Sequence, residues 1–303
     1  MFNFEGKTVL ITGASYGLGE QFAYSFAEAG ADLILTARTE DLLQNVAATC
    51  REKGSKVIAV PGDVSIEEDV KNVVSSGIEE HGKIDVLVNN AGIADMRGVA
   101  PEHFDSETFN QIVSVDLVGA FYYARECGRH MLENGSGSIV NIGSILGSGG
   151  SENGVIAYSA AKGGLRNMTL QLGTEWADRG VRVNAVSPGF IVTEMTRVAL
   201  EAMGIDKWIA SRTPMRRVGE SQEVTNAVMF LASDLASYIT GVDLLVDGGT
   251  NAINGSFQIP PIHHEWNVDT PMIPTSYEPV QPRPDWYQAL EAGVPGVHYP
   301  LPE

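Results

Sequence analysis

Basic residues are scarce in this chain: 20 Lys and Arg stand against 38 Asp and Glu, a formal net charge of −18. Such a surface repels polyanions, and no dense Lys/Arg cluster builds a cationic face, so nucleic-acid and anionic-membrane partners are not expected. Cysteine is nearly absent. Cys50 and Cys127 are the two, far apart and inside expected helices, which argues against a disulfide scaffold or thiolate metal site and for two ordinary semi-buried thiols. No uninterrupted apolar run reaches membrane-spanning length and no charged leader precedes one; the cytoplasm is the expected compartment. Proline is sparse up to Gly249 and dense beyond it, with ten of the fourteen in residues 251–303.

Glycine, by contrast, is plentiful, and its placement is informative. The apolar run Val9-Leu10-Ile11 is followed by Thr12-Gly13-Ala14-Ser15-Tyr16-Gly17-Leu18-Gly19 and then by a helical stretch, Glu20 to Ala29. A strand that ends in spaced glycines before a helix makes a phosphate-binding turn. Gly13 permits the tight turn, Gly17 removes a side chain where a diphosphate approaches, and Gly19 lets helix and sheet close up.

Further strands are expected at Asp32–Ala37, Val57–Val60, Val86–Val88, Gly137–Ile142, Val181–Val186 and Asp243–Val246. Helices are expected at Asp41–Lys53, Glu67–His81, Glu107–Leu132, Tyr158–Ala177 and Ser221–Leu231. Near-continuously apolar strands alternating with helices imply an α/β fold: a doubly wound, seven-stranded parallel sheet with helices on both faces. Residues 1–250 form one Rossmann-type domain in this reading, with a substrate lid at about 190–217. Residues 251–303, which hold Trp266, Trp286, Tyr277, Tyr287 and Tyr299, are read as an extended proline- and aromatic-rich C-terminal arm. His263-His264 lacks the companions of a metal site, so no metal is expected.

With its motifs taken together, the chain resembles the short-chain dehydrogenase/reductase family over about residues 4–250. The resemblance rests on Thr12-Gly13 with Gly17 and Gly19, Asp63-Val64, Asn89-Asn90-Ala91-Gly92, Ser144, Tyr158-Ser159-Ala160-Ala161-Lys162, and Ser187-Pro188-Gly189 with Thr193. It implies an oxidoreductase that moves a hydride between a nicotinamide dinucleotide and a ketone or secondary alcohol. Tyr158 and Lys162, spaced i,i+4, project from one helix face. A free phenol ionises near pH 10, and a neighbouring ammonium favours its anion. The resemblance gives Tyr158 the acid/base role, Lys162 the electrostatic role and the nicotinamide ribose, and Ser144 the substrate oxygen.

One position departs from the family pattern. An asparagine commonly stands in a Val-Asn-Leu-x-Gly segment; here the segment is Val115-Asp116-Leu117-Val118-Gly119. The backbone acceptor survives, but an ionised Asp116 cannot donate. A buried carboxylate near Lys162 would hold its charge more firmly and shift the pH optimum, so Asp116 is counted among the catalytic positions.

For the cofactor, the resemblance assigns Gly13, Ser15, Tyr16, Gly17, Leu18 and Gly19 to the diphosphate turn, and Asp63 and Val64 to the adenine. Asn90, Ala91 and Gly92 are assigned to the ribose and to support of the sheet, and Pro188, Gly189, Ile191 and Thr193 to the carboxamide and diphosphate side. The position that carries an acid in NAD enzymes is Ala37, followed by Arg38. A guanidinium there suits a 2′-phosphate, which favours NADP(H) over NAD(H). The substrate wall is expected from Ile93–Arg97, Ile145–Ile156, Phe190 and Met195–Met215, rather apolar and suited to a small carbonyl or alcohol compound. A 3-oxoacyl-thioester reductase and a catalytically silent nucleotide-binding protein are the alternatives. The family resemblance further implies a homotetramer, with a dimer as the alternative.

Overall fold

The computed structural model describes residues 2–95, 99–150, 154–192 and 205–253. The apolar runs form strands β1 (Thr8–Thr12), β2 (Asp32–Thr36), β3 (Val57–Ala59), β4 (Val86–Asn89), β5 (Gly137–Ile142), β6 (Val181–Pro188), β7 (Ile191–Val192), β8 (Gly219–Glu220) and β9 (Asp243–Val246). Seven of them make one sheet in the order β3-β2-β1-β4-β5-β6-β9, all parallel. β7 and β8 pair separately, a small addition that two-residue strands do not announce in sequence. The order reverses between β1 and β4, so a crevice opens at their C-terminal ends, where open parallel sheets bind ligands.

The helices are α1 (Gly17–Glu28), α2 (Glu40–Glu52), α3 (Glu67–His81), α4 (Ser106–Val113), α5 (Ala120–Glu133), α6 (Ile156–Glu175), α7 (Ile205–Arg212) and α8 (Ser221–Ala232). Alternation along a strand sends its side chains to opposite faces. In β1, Val9 and Ile11 join Phe22 and Phe26 of α1 and Val228 of α8. Leu10, between them, joins Val70 of α3 and Tyr123 of α5 on the other face. Continuous hydrophobicity in the strands is thus the signature of two cores, one on each side. Cys50 and Cys127 are fully buried rather than semi-buried and lie in opposite cores. Burial pushes both thiols up, Cys50 to about 12, which leaves them unreactive at neutral pH.

The single helix expected over Glu107–Leu132 is instead α4 and α5 joined by a π-helical turn, Ser114–Gly119. Its apolar periodicity runs on through the turn, which is why the sequence reads as one helix. The wider turn places Asp116 inward, with no solvent exposure, and lays Gly119 against Val64, where a Cβ would come within 2.7 Å of the Val64 carbonyl oxygen. Such π turns accommodate an extra residue and recur at functional sites. The arm expected over residues 251–303 lies outside the described residues from 254 onward.

Arg182 of β6 closes the end of α8. Its Nη1 donates to the Leu231 carbonyl at 2.7 Å and its Nη2 to the Ser233 carbonyl at 3.0 Å. These are acceptors that the end of a helix leaves without intrahelical partners. Arg182→Met keeps the stem and removes the donors; it is expected to cost about 2 kcal/mol, a melting point lower by about 4–8 °C in a domain of this size. An unchanged melting curve would show that water serves those carbonyls equally well.

Candidate active site

The glycine turn between β1 and α1 is built by backbone constraints. Gly13 and Gly17 both have φ of +63°, a conformation that side-chain-bearing residues rarely adopt. A Cβ on Gly13 would lie 2.9 Å from Ala91 Cα, and one on Gly19 would collide with the Gly13 carbonyl and lie 2.6 Å from Asn90 Nδ2. Asn90 holds the turn: its amide donates to the Thr12 and Gly13 carbonyls at 2.9 and 3.0 Å. In return the Thr12 hydroxyl accepts the Asn90 and Ala91 N–H groups, each at 3.0 Å. Tyr16 precedes α1 in extended backbone without a side-chain cap, and Ser15 is buried beside it. Half-buried Leu18 opens the helix. A turn kept free of side chains at Gly13, Gly17 and Gly19, beside uncapped helical N–H groups, fits a dinucleotide diphosphate.

At the other end of the crevice Ala37 is buried and Arg38 is 63% exposed, its Nη1 4.0 Å from Asp63 Oδ2. The other Asp63 oxygen is engaged by Ser65, which donates its N–H at 2.9 Å and its hydroxyl at 2.6 Å. Val64 is buried against Gly119, so its side chain also serves the π turn. A long, solvated contact such as Arg38–Asp63 holds a side chain weakly, which leaves the guanidinium able to turn toward a phosphate.

The chemistry-bearing cluster lies at the C-terminal ends of β4 and β5. Tyr158 and Lys162 are one turn apart on α6, with Lys162 Nζ 5.5 Å from the Tyr158 ring centroid. Lys162 is 4% exposed and donates to the Ile142 carbonyl at 3.0 Å. Asp116 meets it from the π turn, Oδ2 to Nζ 3.2 Å, while Oδ1 accepts the Ile93 N–H at 2.7 Å. Burial pushes the Asp116 carboxyl up, opposed by the Lys162 charge and the Ile93 N–H. Burial pushes the Lys162 ammonium down, but Asp116 and then Tyr158 outweigh it, and its value is raised. Ser144 follows β5 and is nearly buried, its hydroxyl accepting the Leu146 N–H at 3.2 Å. The short turn after it presses on α6 at Lys162: a Cβ on Gly147 would lie 2.8 Å from the Lys162 carbonyl.

On the far side, Gly189 donates to the Val246 carbonyl at 2.9 Å, and a Cβ there would meet Asp247 Cα at 2.8 Å. Pro188 ends β6 and Ile191 begins β7, whereas Thr193 lies outside the described residues, as do Met96 and Arg97 and the lid segment 193–204. Phe190 and Met215, both expected on the substrate wall, are exposed and line a cavity of about 300 Å³ with Leu245 and the Arg217–Glu223 ion pair. Ser144, Tyr158 and Lys162 do not line it. Among the described residues no group of three or more His, Cys, Asp or Glu is placed to hold a metal, and no helix is long and apolar enough to cross a membrane.

Residues 13–251 match the family model described as Enoyl-(Acyl carrier protein) reductase. Glucose 1-dehydrogenase of Gluconobacter oxydans is 40% identical over 260 residues, covering 84% of this chain and 95% of the relative. The chain belongs to the short-chain dehydrogenase/reductase family. Within it, the 3-oxoacyl-(acyl-carrier-protein) reductase of Escherichia coli is 38% identical, over 82% of this chain and 98% of the relative. Among solved structures, the gluconate 5-dehydrogenase of Burkholderia cenocepacia in complex with NADP and tartrate is 32% identical, with a TM-score of 0.77 over 82% of this chain and 97% of that one. The protein is thus an NAD(P)(H)-dependent oxidoreductase of carbonyl or alcohol compounds.

Family motifs did not disclose three contributors to the cluster. The Ile142 carbonyl and the Ile93 N–H act through the backbone, which no side-chain pattern marks. Gly147 falls within the Ile145–Ile156 segment expected as substrate wall, and nothing in that glycine- and serine-rich composition marks its contact with α6.

Proposed function

We propose that the protein interconverts a fairly apolar ketone and secondary alcohol with NADP(H), using Tyr158 as the acid/base group. The observation that carries this reading is the buried Lys162 ammonium on the Tyr158 face of α6, at the same sheet edge as the glycine turn. Bound nicotinamide supplies or accepts the hydride at the substrate carbon. In reduction, the Tyr158 hydroxyl gives its proton to the carbonyl oxygen as negative charge builds there, and in oxidation the phenolate takes it back. Lys162 offsets the charge left on the phenolate. Ser144 donates a hydrogen bond to the substrate oxygen and so stabilises the charge that develops on it. The Ile142 carbonyl and Asp116 keep Lys162 aimed at this spot. Gly13 to Gly19 hold the diphosphate, while Asp63, Val64 and Asn90 to Gly92 line the adenosine side. Pro188, Gly189, Ile191 and Thr193 hold the carboxamide end.

Ala37 with Arg38 supports NADP(H). Arg38→Leu is expected to lower kcat/KM for NADPH at least about tenfold, as loss of a charge-assisted contact to the 2′-phosphate would do, while NADH use stays unchanged. Equal losses with both dinucleotides would take the phosphate away from Arg38. The exposed Phe190 and Met215 support an apolar substrate. The Escherichia coli relative favours a second reading, reduction of a 3-oxoacyl thioester by the same residues. A panel of cyclic ketones, secondary alcohols, sugars and 3-oxoacyl thioesters, assayed with NADPH and NADH by nicotinamide absorbance, decides between them. No turnover with any of these compounds would leave the catalytically silent alternative standing.

Assembly as a homotetramer through α5 and α6 is supported by Phe121 and Ile156, large apolar side chains exposed on those helices. Light scattering gives the mass directly.

A further inference from the structure

The Asp116–Lys162 pair is costly to bury. Two opposite charges removed from water repay their desolvation only with close geometry and further hydrogen bonds. Asp116 Oδ1 has such a bond, from Ile93 N–H at 2.7 Å. Oδ2, 3.2 Å from Lys162 Nζ, has no aligned hydrogen-bond donor among the described residues, so the charge of Lys162 is what offsets its burial. Gly92 closes the pair from the third side, where a Cβ would lie 2.9 Å from Asp116 Oδ2 and 3.3 Å from Lys162 Nζ. Among the described residues, Asp116 and Tyr158 are the titratable groups acting on Lys162, and Lys162 is the one acting on Asp116. β5 adds only the uncharged Ile142 carbonyl, and the short turn after it the backbone of Gly147.

We propose that Asp116 is a positioning residue, a buried carboxylate that holds the Lys162 ammonium charged and fixed beside Tyr158 while pinning the start of the Ile93 loop to the same point. This rests on the acid/base reading of Tyr158 only for its catalytic consequence; the counter-ion role stands on the geometry. With Oδ1 held by the Ile93 N–H and Oδ2 offset by the Lys162 charge alone, Lys162 cannot swing away without leaving Oδ2 buried and uncompensated. The ammonium therefore keeps its charge into alkaline solution, against the effect of its own burial.

The test is Asp116→Asn in the full chain. If the amide oxygen keeps the Ile93 N–H, the amide nitrogen faces Lys162 donor to donor. Two readouts are taken against pH. One is the NMR signal of the Lys162 side chain, assigned by its loss in Lys162→Met; the other is kcat/KM for carbonyl reduction. Loss of an opposite charge at this range is expected to move the Lys162 titration down by at least about one pH unit, and the alkaline limb of reduction with it. Asp116→Ser, smaller and uncharged, should do the same and serves if the amide variant fails to fold. Lys162 signals that titrate alike in parent and variants, or a parent Lys162 that titrates below an ordinary lysine, would overturn the counter-ion. A moved titration with an unmoved alkaline limb overturns its part in catalysis. A moved titration in a protein that turns over no substrate overturns the oxidoreductase reading and leaves the counter-ion in place.

Discussion

Tyr158→Phe is expected to lower kcat by about 10²–10⁴-fold, the range that a positioned proton donor contributes. The substitution removes one oxygen and little else. The Tyr158 ring packs on the cluster of Ile112, Ala157 and Ala161, and phenylalanine fills that place with the same carbon atoms. The ring face toward Lys162 is also retained, so the cation keeps its neighbour. Melting temperature and NADPH affinity, followed by quenching of intrinsic fluorescence, should therefore stay close to the parent. The loss then belongs to proton transfer rather than to folding or binding. A Phe variant that works at the parent rate would mean that another group supplies the proton, and Ser144 would be the next to examine.

Gly19→Ala carries the second large effect, with a sign opposite to helix propensity. In an exposed helix interior, alanine in place of glycine gains about 1 kcal/mol. Here the new Cβ would collide with the Gly13 carbonyl and lie 2.6 Å from Asn90 Nδ2. Neither neighbour is a loose chain end: Gly13 sits in a left-handed turn, and the Asn90 amide is tied to two carbonyls. Overpacking of this kind costs about 1–3 kcal/mol or more, and relief requires α1 to move off the turn. The expected outcome is a melting point lower by roughly 2–12 °C and NADPH binding weakened at least about tenfold, measured by calorimetric titration. Parent-like binding would show that the turn can open without loss to the diphosphate site.

Much of the architecture was open to inspection in the sequence because parallel sheets require it to be. Each interior strand must be apolar on both faces, and each crossover must return through a helix, so composition alternates visibly along the chain. The glycine turn was equally legible, since the backbone at Gly13 and Gly17 takes up conformations that other residues avoid. The i,i+4 spacing of Tyr158 and Lys162 is a local property of one helix. Where the reading fell short, at the junction of α4 and α5, the cause was local too: a π turn preserves apolar spacing well enough to pass for continuous helix.

Residue types and near-neighbour spacing settled the parallel sheet, the glycine turn after β1 and the shared face of phenol and ammonium, because each is decided within a few residues of chain. Only the folded molecule settled that Asp116 turns inward to meet Lys162, that the Ile142 carbonyl and Ile93 N–H complete the arrangement, and that Asn90 ties one strand end to another. Those contacts join segments remote in the chain, and several use backbone atoms common to every residue. Their existence depends on the phase of a helix turn and the register of neighbouring strands.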